Sequence, residues 1–145
     1  MQDFANAPGF IAFAVCSMVL VLKMWAVGLA TVAARARAGV RVNPEDDGRG
    51  EVIGAVEPEP VARANRAHRN DLENIPSFWV VGLLAGLSHA NGVALTVCSI
   101  VFTAARVMHS WFYLRRVSAM RSVSWSLGVL STMVLMGFTI AAWGR

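Results

Sequence analysis

Two long apolar runs constrain this chain more than any other feature. Phe10 to Ala34 gives 25 residues interrupted only by Lys23, and Val123 to Trp143 gives 21 with no charge. A helix needs about 20 apolar residues to cross the hydrocarbon of a bilayer. Both ends of the chain are therefore expected to span a membrane. The first run follows acidic Asp3 rather than a basic stretch and outlasts the roughly 7 to 15 apolar residues of a signal-peptide core, so it reads as a retained helix. With 56% hydrophobic and 15% charged residues in 145, the chain is too apolar for an ordinary soluble domain and fits one membrane domain.

The distribution of charge says more than its total of +4. Arg35, Arg37 and Arg41 follow the first run, Arg63, Arg66 and Arg69 precede a second, and Arg115, Arg116 and Arg121 lie between a third and the last. No Lys or Arg occurs between Gly82 and Ala105. By the positive-inside rule the arginine-rich links are cytoplasmic and both termini face away from the cytoplasm. That distribution accounts for the basicity without a nucleic-acid partner. Cys16 and Cys98 stand inside apolar runs, where a thiol behaves as a small hydrophobe. No His or Cys pair has zinc-ligand spacing, so no metal is expected.

The break in hydrophobicity from 41 to 60 contains Asn43, Pro44, Gly48, Gly50, Gly54, Pro58 and Pro60 and six of the nine acids, and reads as a cytoplasmic loop. The expected architecture is an all-α membrane protein, a bundle of four transmembrane helices at about 9–38, 61–88, 91–116 and 122–144. The second and third are short of apolar residues, since Ile75 to Leu87 is the only unbroken run in one and Arg106 interrupts the other. Their charges must then face protein or water. Arg66, Arg69, Asn70 and Glu73 stand at i, i+3, i+4 and i+7, and Arg106, His109, Ser110 and Tyr113 repeat that interval. Each set forms one stripe, and the two are expected to line a common interior, with Pro76 bending the second helix beside it.

Arginine suits forked binding of carboxylates, while Glu73 can pair with Arg69 or take an ammonium group. A small ligand with two carboxylates and one amine matches this set. The alternative is a structural ion-pair network, because buried charges must pair whatever their use. Lys23 reads as structural, paired with Asp71 or Glu73. His68 and His109, each beside arginines, suit hydrogen bonding within the network better than general-base work.

The run Arg66-Ala67-His68-Arg69-Asn70-Asp71-Leu72-Glu73-Asn74-Ile75, the loop Asn43-Pro44-Glu45-Asp46, and Ala105-Arg106-Val107-Met108-His109 with Tyr113-Leu114 together resemble the MAPEG family, membrane-associated proteins in eicosanoid and glutathione metabolism. The likeness runs from Lys23-Met24 to Trp125 and is closest to the family's prostaglandin E synthase and microsomal glutathione transferase branch. It implies a homotrimer of four-helix protomers with glutathione bound between neighbours near the cytoplasmic side. The multi-pass chain is expected in a bacterial inner membrane or the endoplasmic reticulum, with twelve arginines against one lysine pointing to a bacterial source. Arg35, Arg69, Asn70, Glu73, His109, Tyr113, Arg121, Ser122 and Trp125 match positions lining that site. Trp125 stands where the synthase branch has tyrosine. Arg66 and Arg106 match motif positions that serve packing and ion pairing as readily as ligand contact.

The implied catalytic residues are Arg121 and Ser122, favouring the glutathione thiolate, with Asp46 in the loop for proton transfer. From its position before an apolar run, Ser122 also suits a helix N-cap. The implied activity is that of a glutathione-dependent transferase or peroxidase acting on lipophilic electrophiles or lipid hydroperoxides. The alternatives are an isomerase that opens a lipid endoperoxide and a non-catalytic lipid-binding scaffold. If the arginine-rich links are cytoplasmic, a cysteine placed at Asn91 in intact cells will react with an impermeant thiol reagent only from the opposite side. Labelling from the cytoplasm alone would reverse the orientation.

Overall fold

The computed structural model describes residues 7–43, 45, 51–52 and 56–144. Four helices account for most of them: α1 (Pro8–Ala38), α2 (Glu59–Leu87), α3 (Gly92–Leu114) and α4 (Ser118–Trp143). Three of the four, α1, α3 and α4, are long and apolar enough to cross a membrane. The exception is α2, whose first half carries the arginines and acids noted above. The protein is an integral membrane protein.

The helix ends follow local chemistry. Pro8 starts α1, where its missing N–H costs nothing, and Gly39 ends it at φ 64°, a left-handed value glycine adopts freely. Arg35 and Arg37 occupy the last turn of α1, beside its exposed carbonyls. The Asn91 side chain caps α3 by accepting from the backbone N–H groups of Val93 and Ala94 at 2.9 and 3.0 Å. Between α3 and α4 the chain turns within 115–117, with Arg116 at φ 66°. That tight turn starts α4 at Ser118, a full turn before the position expected for it.

Between α1 and α2 lie two short strands, β1 (Val40–Arg41) and β2 (Glu51–Val52), paired in parallel with Val40 opposite Glu51 and Arg41 opposite Val52. The breaker-rich composition of 41–60 hid this pairing, because two-residue strands carry no periodicity.

The centre of the bundle is α3, which packs against α1, α2 and α4, while α2 also touches α1 and α4. Short links make α2 antiparallel to α3, and α3 antiparallel to α4. At one end α1 and α3 meet closely: a Cβ built on Gly9 would lie 2.6 Å from the Gly92 carbonyl oxygen. Phe13 similarly occupies the space a side chain at Gly82 would need. Along that half runs a chain of rings, Phe10, Phe13, Phe78 and Phe102, with Phe78 and Phe102 stacked at 4.0 Å.

Lipid is as apolar as leucine, so burial alone does not hold such helices together, and small residues and polar pairs must. The buried face of α4 is Ser124, Gly128, Ser131, Leu135 and Thr139, and its hydroxyls bond back to their own helix. Gly128 admits the stem of Arg106 and the ring of Phe102.

The polar pair is a triad. Asp71 is fully buried and accepts from Lys23 Nζ, from Arg106 Nη2 at 2.9 Å and from Ser110 Oγ at 3.4 Å. It joins α1, α2 and α3, and of the two acids expected for Lys23 it is Asp71 that pairs. Asp71→Asn will leave two buried cations without their anion and is expected to cost about 3–5 kcal/mol. Glu73→Gln, which breaks the exposed Arg69–Glu73 pair at 3.2 Å, should cost less than about 1 kcal/mol. Unfolding of detergent-purified variants by denaturant checks both, and equal losses would remove the triad's special place.

Candidate functional site

The two polar stripes do not share one interior. In α3 the expected stripe does turn inward, with Arg106, His109 and Ser110 buried and Tyr113 half-buried. In α2 the buried meridian is Ala64, Ala67, Asp71, Ile75 and Phe78, rotated from the stripe that spacing suggested. Alanine and a single acid let α1 and α3 approach closely, which arginine side chains cannot. Arg66, Arg69 and Glu73 therefore face outward, their side chains 49%, 82% and 57% exposed.

Where α2, α3 and α4 converge beside the short 115–117 turn, a groove of about 430 Å³ is lined by Asn70, His109, Tyr113, Arg121, Ser122, Trp125 and Ser126. Six of the nine residues expected to bind ligand are thus brought together. His109 and Tyr113 are one turn apart on α3, as are Arg121 and Trp125 on α4, so each helix presents a single face. A volume of this size is in the range of small-molecule sites.

The groove is internally ordered. The Arg121 guanidinium carbon lies 4.8 Å from the centre of the Tyr113 ring, a cation–π contact, and the His109 and Tyr113 rings meet edge to face at 5.6 Å. His109 Nδ1 lies 3.1 Å from the Arg121 carbonyl oxygen. A carbonyl only accepts, so Nδ1 carries the proton and donates it. Nε2 of the same ring is buried and finds no partner among the described residues. The Asn70 side-chain oxygen Oδ1 accepts from Arg106 Nη2 at 2.6 Å.

The remaining expected site residues lie elsewhere. Arg35 donates to Asn65 Oδ1 at 3.3 Å, and Asn65 donates on to Glu57 at 2.5 Å, which ties the end of α1 to the start of α2. Arg69 and Glu73 pair with each other on the outer face of α2. Asp46 lies outside the described residues. Ser122 is not a helix cap: α4 has begun a turn earlier, and the Ser122 hydroxyl donates to the Ser118 carbonyl at 3.2 Å. Sequence reasoning missed Ser126 as a lining residue, although its i+4 spacing from Ser122 was a usable signal. It also undervalued Asp71, the one acid on an otherwise apolar meridian.

A larger cavity of about 640 Å³ opens at the other end of the bundle, lined by residues 7–9, 89–93, 96 and 97. Its one ionisable side chain is His89. The smaller groove holds the convergent polar chemistry.

Comparison with known proteins identifies the family. Prostaglandin E synthase from Macaca fascicularis and from Homo sapiens are each 36% identical over 128 residues, covering 86% of this chain and 84% of the relative. Microsomal glutathione S-transferase 1 from Homo sapiens is 36% identical over 110 residues, covering 72% of this chain and 71% of the relative. The sequence pattern of the MAPEG family matches residues 13–141, nearly the whole bundle. The chain belongs to the MAPEG family.

Proposed function

We propose that this protein is a glutathione-dependent membrane enzyme, a transferase or peroxidase that acts on lipophilic electrophiles or lipid hydroperoxides. The observation that carries the reading is the groove itself, in which Arg121, Ser122, Tyr113, His109 and Asn70 converge at the arginine-rich end of the bundle. Its residues fit the ligand. Glutathione has two carboxylates and one ammonium group, and Arg121 lies in the groove while Arg69 and Glu73 stand half or more exposed on the adjoining helix. Arg69 and Glu73 pair with each other on the outer face of α2, and charged groups facing hydrocarbon are costly even when paired, so this face calls for a cover. A second and third copy of the chain supply one in a homotrimer, and then Arg35, Arg69 and Glu73 complete sites shared between neighbours.

When bound, glutathione supplies a thiol, whose reference pKa near about 8.5 leaves it mostly protonated at neutral pH and less reactive than its thiolate. Arg121 places a positive charge on the groove wall, which favours an anion there. Ser122 holds a hydroxyl one residue on, and rotating its O–H away from the Ser118 carbonyl gives up only one hydrogen bond of 3.2 Å. Trp125 and Ser126 continue the wall, and beyond them α4 exposes Leu130, Met133 and Val134, an apolar approach suited to a substrate arriving from the bilayer.

A second reading has its own support. Kinship with prostaglandin E synthases at 36% identity favours an isomerase that opens a lipid endoperoxide and regenerates glutathione. It shares the groove and differs in product. A scaffold has no need of a charge and a hydroxyl together at positions 121 and 122. The arginine-rich ends of the helices belong on the cytoplasmic side of a bacterial inner membrane or the endoplasmic reticulum.

Two outcomes are expected. In calorimetry of the detergent-purified protein, glutathione will bind, and Arg69→Ala and Glu73→Ala will each weaken binding by more than about tenfold, as charge-assisted bonds of about 1.5–3 kcal/mol imply. Unchanged affinity in a folded Arg69→Ala protein would move the carboxylate site elsewhere. Separately, glutathione mixed with wild type at neutral pH will show the ultraviolet absorbance of a thiolate, and Arg121→Ala will abolish most of it. Ser122→Ala will reduce absorbance and turnover with binding and stability little changed, since the residue is not a cap. If both substitutions leave absorbance and rate intact, the Tyr113 hydroxyl becomes the donor to test.

A further inference from the structure

Asn70 lines the groove, and its neighbour in sequence, Asp71, is the acid of the buried triad. One nitrogen connects them. Arg106 Nη2 donates to Asp71 Oδ1 at 2.9 Å and to Asn70 Oδ1 at 2.6 Å, which uses both of its hydrogens. Arg106 itself is only 1% exposed and is not part of the groove lining.

A guanidinium has donors and no acceptor. Whatever faces Arg106 from Asn70 must therefore be the carbonyl oxygen, and chemistry alone decides which way the amide is turned. The amide nitrogen, with two donors, is left for the groove. The triad also contains two cations, Lys23 and Arg106, against one carboxylate. A buried surplus cation needs further acceptors, so the Asn70 oxygen is held there by more than a neutral hydrogen bond.

We propose that Arg106 is a positioning residue that sets the hydrogen-bond polarity of the groove floor: by taking the Asn70 oxygen it obliges Asn70 to act as a donor toward the ligand. The subsite over Asn70 accordingly takes an acceptor, a carboxylate or peptide carbonyl oxygen, and rejects an ammonium group. This rests on the reading of the groove as a glutathione site and specifies which groups of the tripeptide can lie against α2. The ammonium group belongs near Glu73, and the oxygens belong near Asn70 and Arg121.

Glutathione affinity of the purified, membrane-reconstituted protein tests the proposal with three variants. Asn70→Asp keeps an oxygen for Arg106 and removes the amide donors. It is expected to bind glutathione at least tenfold more weakly, with an unfolding temperature equal to or above wild type. Arg106→Lys keeps the charge but loses the fork, and is expected to raise KM for glutathione about tenfold with kcat changed less than twofold. In an Asn70→Ala background the same Arg106→Lys change should add less than a further twofold to the loss of affinity, since its effect passes through Asn70. A merely structural role for Arg106 predicts additive losses instead. Wild-type affinity in Asn70→Asp, or additivity in the double variant, overturns the proposal while leaving the glutathione reading intact. Should Arg106→Lys not fold, Asn70→Asp alone decides. Wild-type protein that fails to bind glutathione sinks the proposed function and this inference together.

Discussion

The arrangement of this bundle depends on an acid that has no access to water. Asp71 gathers Lys23 from α1, Arg106 from α3 and Ser110 one turn further along α3. In a bilayer the apolar faces of these helices gain little from each other, since lipid would serve them equally well. An ionised group has no such alternative. Its only favourable surroundings are the opposite charges on neighbouring helices, so the triad selects one rotation of each helix and one depth. Once α2 is turned to bury Asp71, the position of Arg66, Arg69 and Glu73 on its outside follows from helical geometry.

The same constraint explains why a polar groove stands next to the triad. Asn70 and Asp71 are adjacent, and consecutive helical residues point about 100° apart. Burying one places the other at the edge of the helix interface. His109 and Ser110 stand in the same relation on α3. The structural core and the groove floor are therefore two sides of one set of turns, joined where Arg106 donates to both Asp71 and Asn70.

Much of this was legible in the residues. The apolar runs at each end, the arginine-rich links and the motif around Arg66 to Ile75 pointed to a four-helix membrane protein of the MAPEG family. Six groove residues were named from the resemblance. The expectation that failed was rotation: Arg66, Arg69, Asn70 and Glu73 form one stripe and were expected to face a common interior, but a stripe does not say whether it faces its own bundle or the outside. The deciding residue was Asp71, one position off the stripe, whose partners lie 48 and 35 residues away in the chain. The start of α4 was misread for a different reason. A serine before an apolar run is a reasonable cap, yet the left-handed Arg116 let the helix begin at Ser118, and a single residue's φ has no periodic signature.

The separation of Lys23 from its acid has a consequence for biosynthesis. At about 5–20 residues per second, the ribosome delivers Asp71 several seconds after Lys23, and Arg106 later still. The first helix enters the bilayer with an uncompensated ammonium, tolerable while its stem reaches toward the head groups. The second helix, too charged to partition well alone, then arrives carrying the carboxylate that this ammonium lacks. Each corrects the other's defect once Lys23 and Asp71 meet. Membrane insertion of this protein is in this sense cooperative between helices rather than a sequence of independent partitioning events.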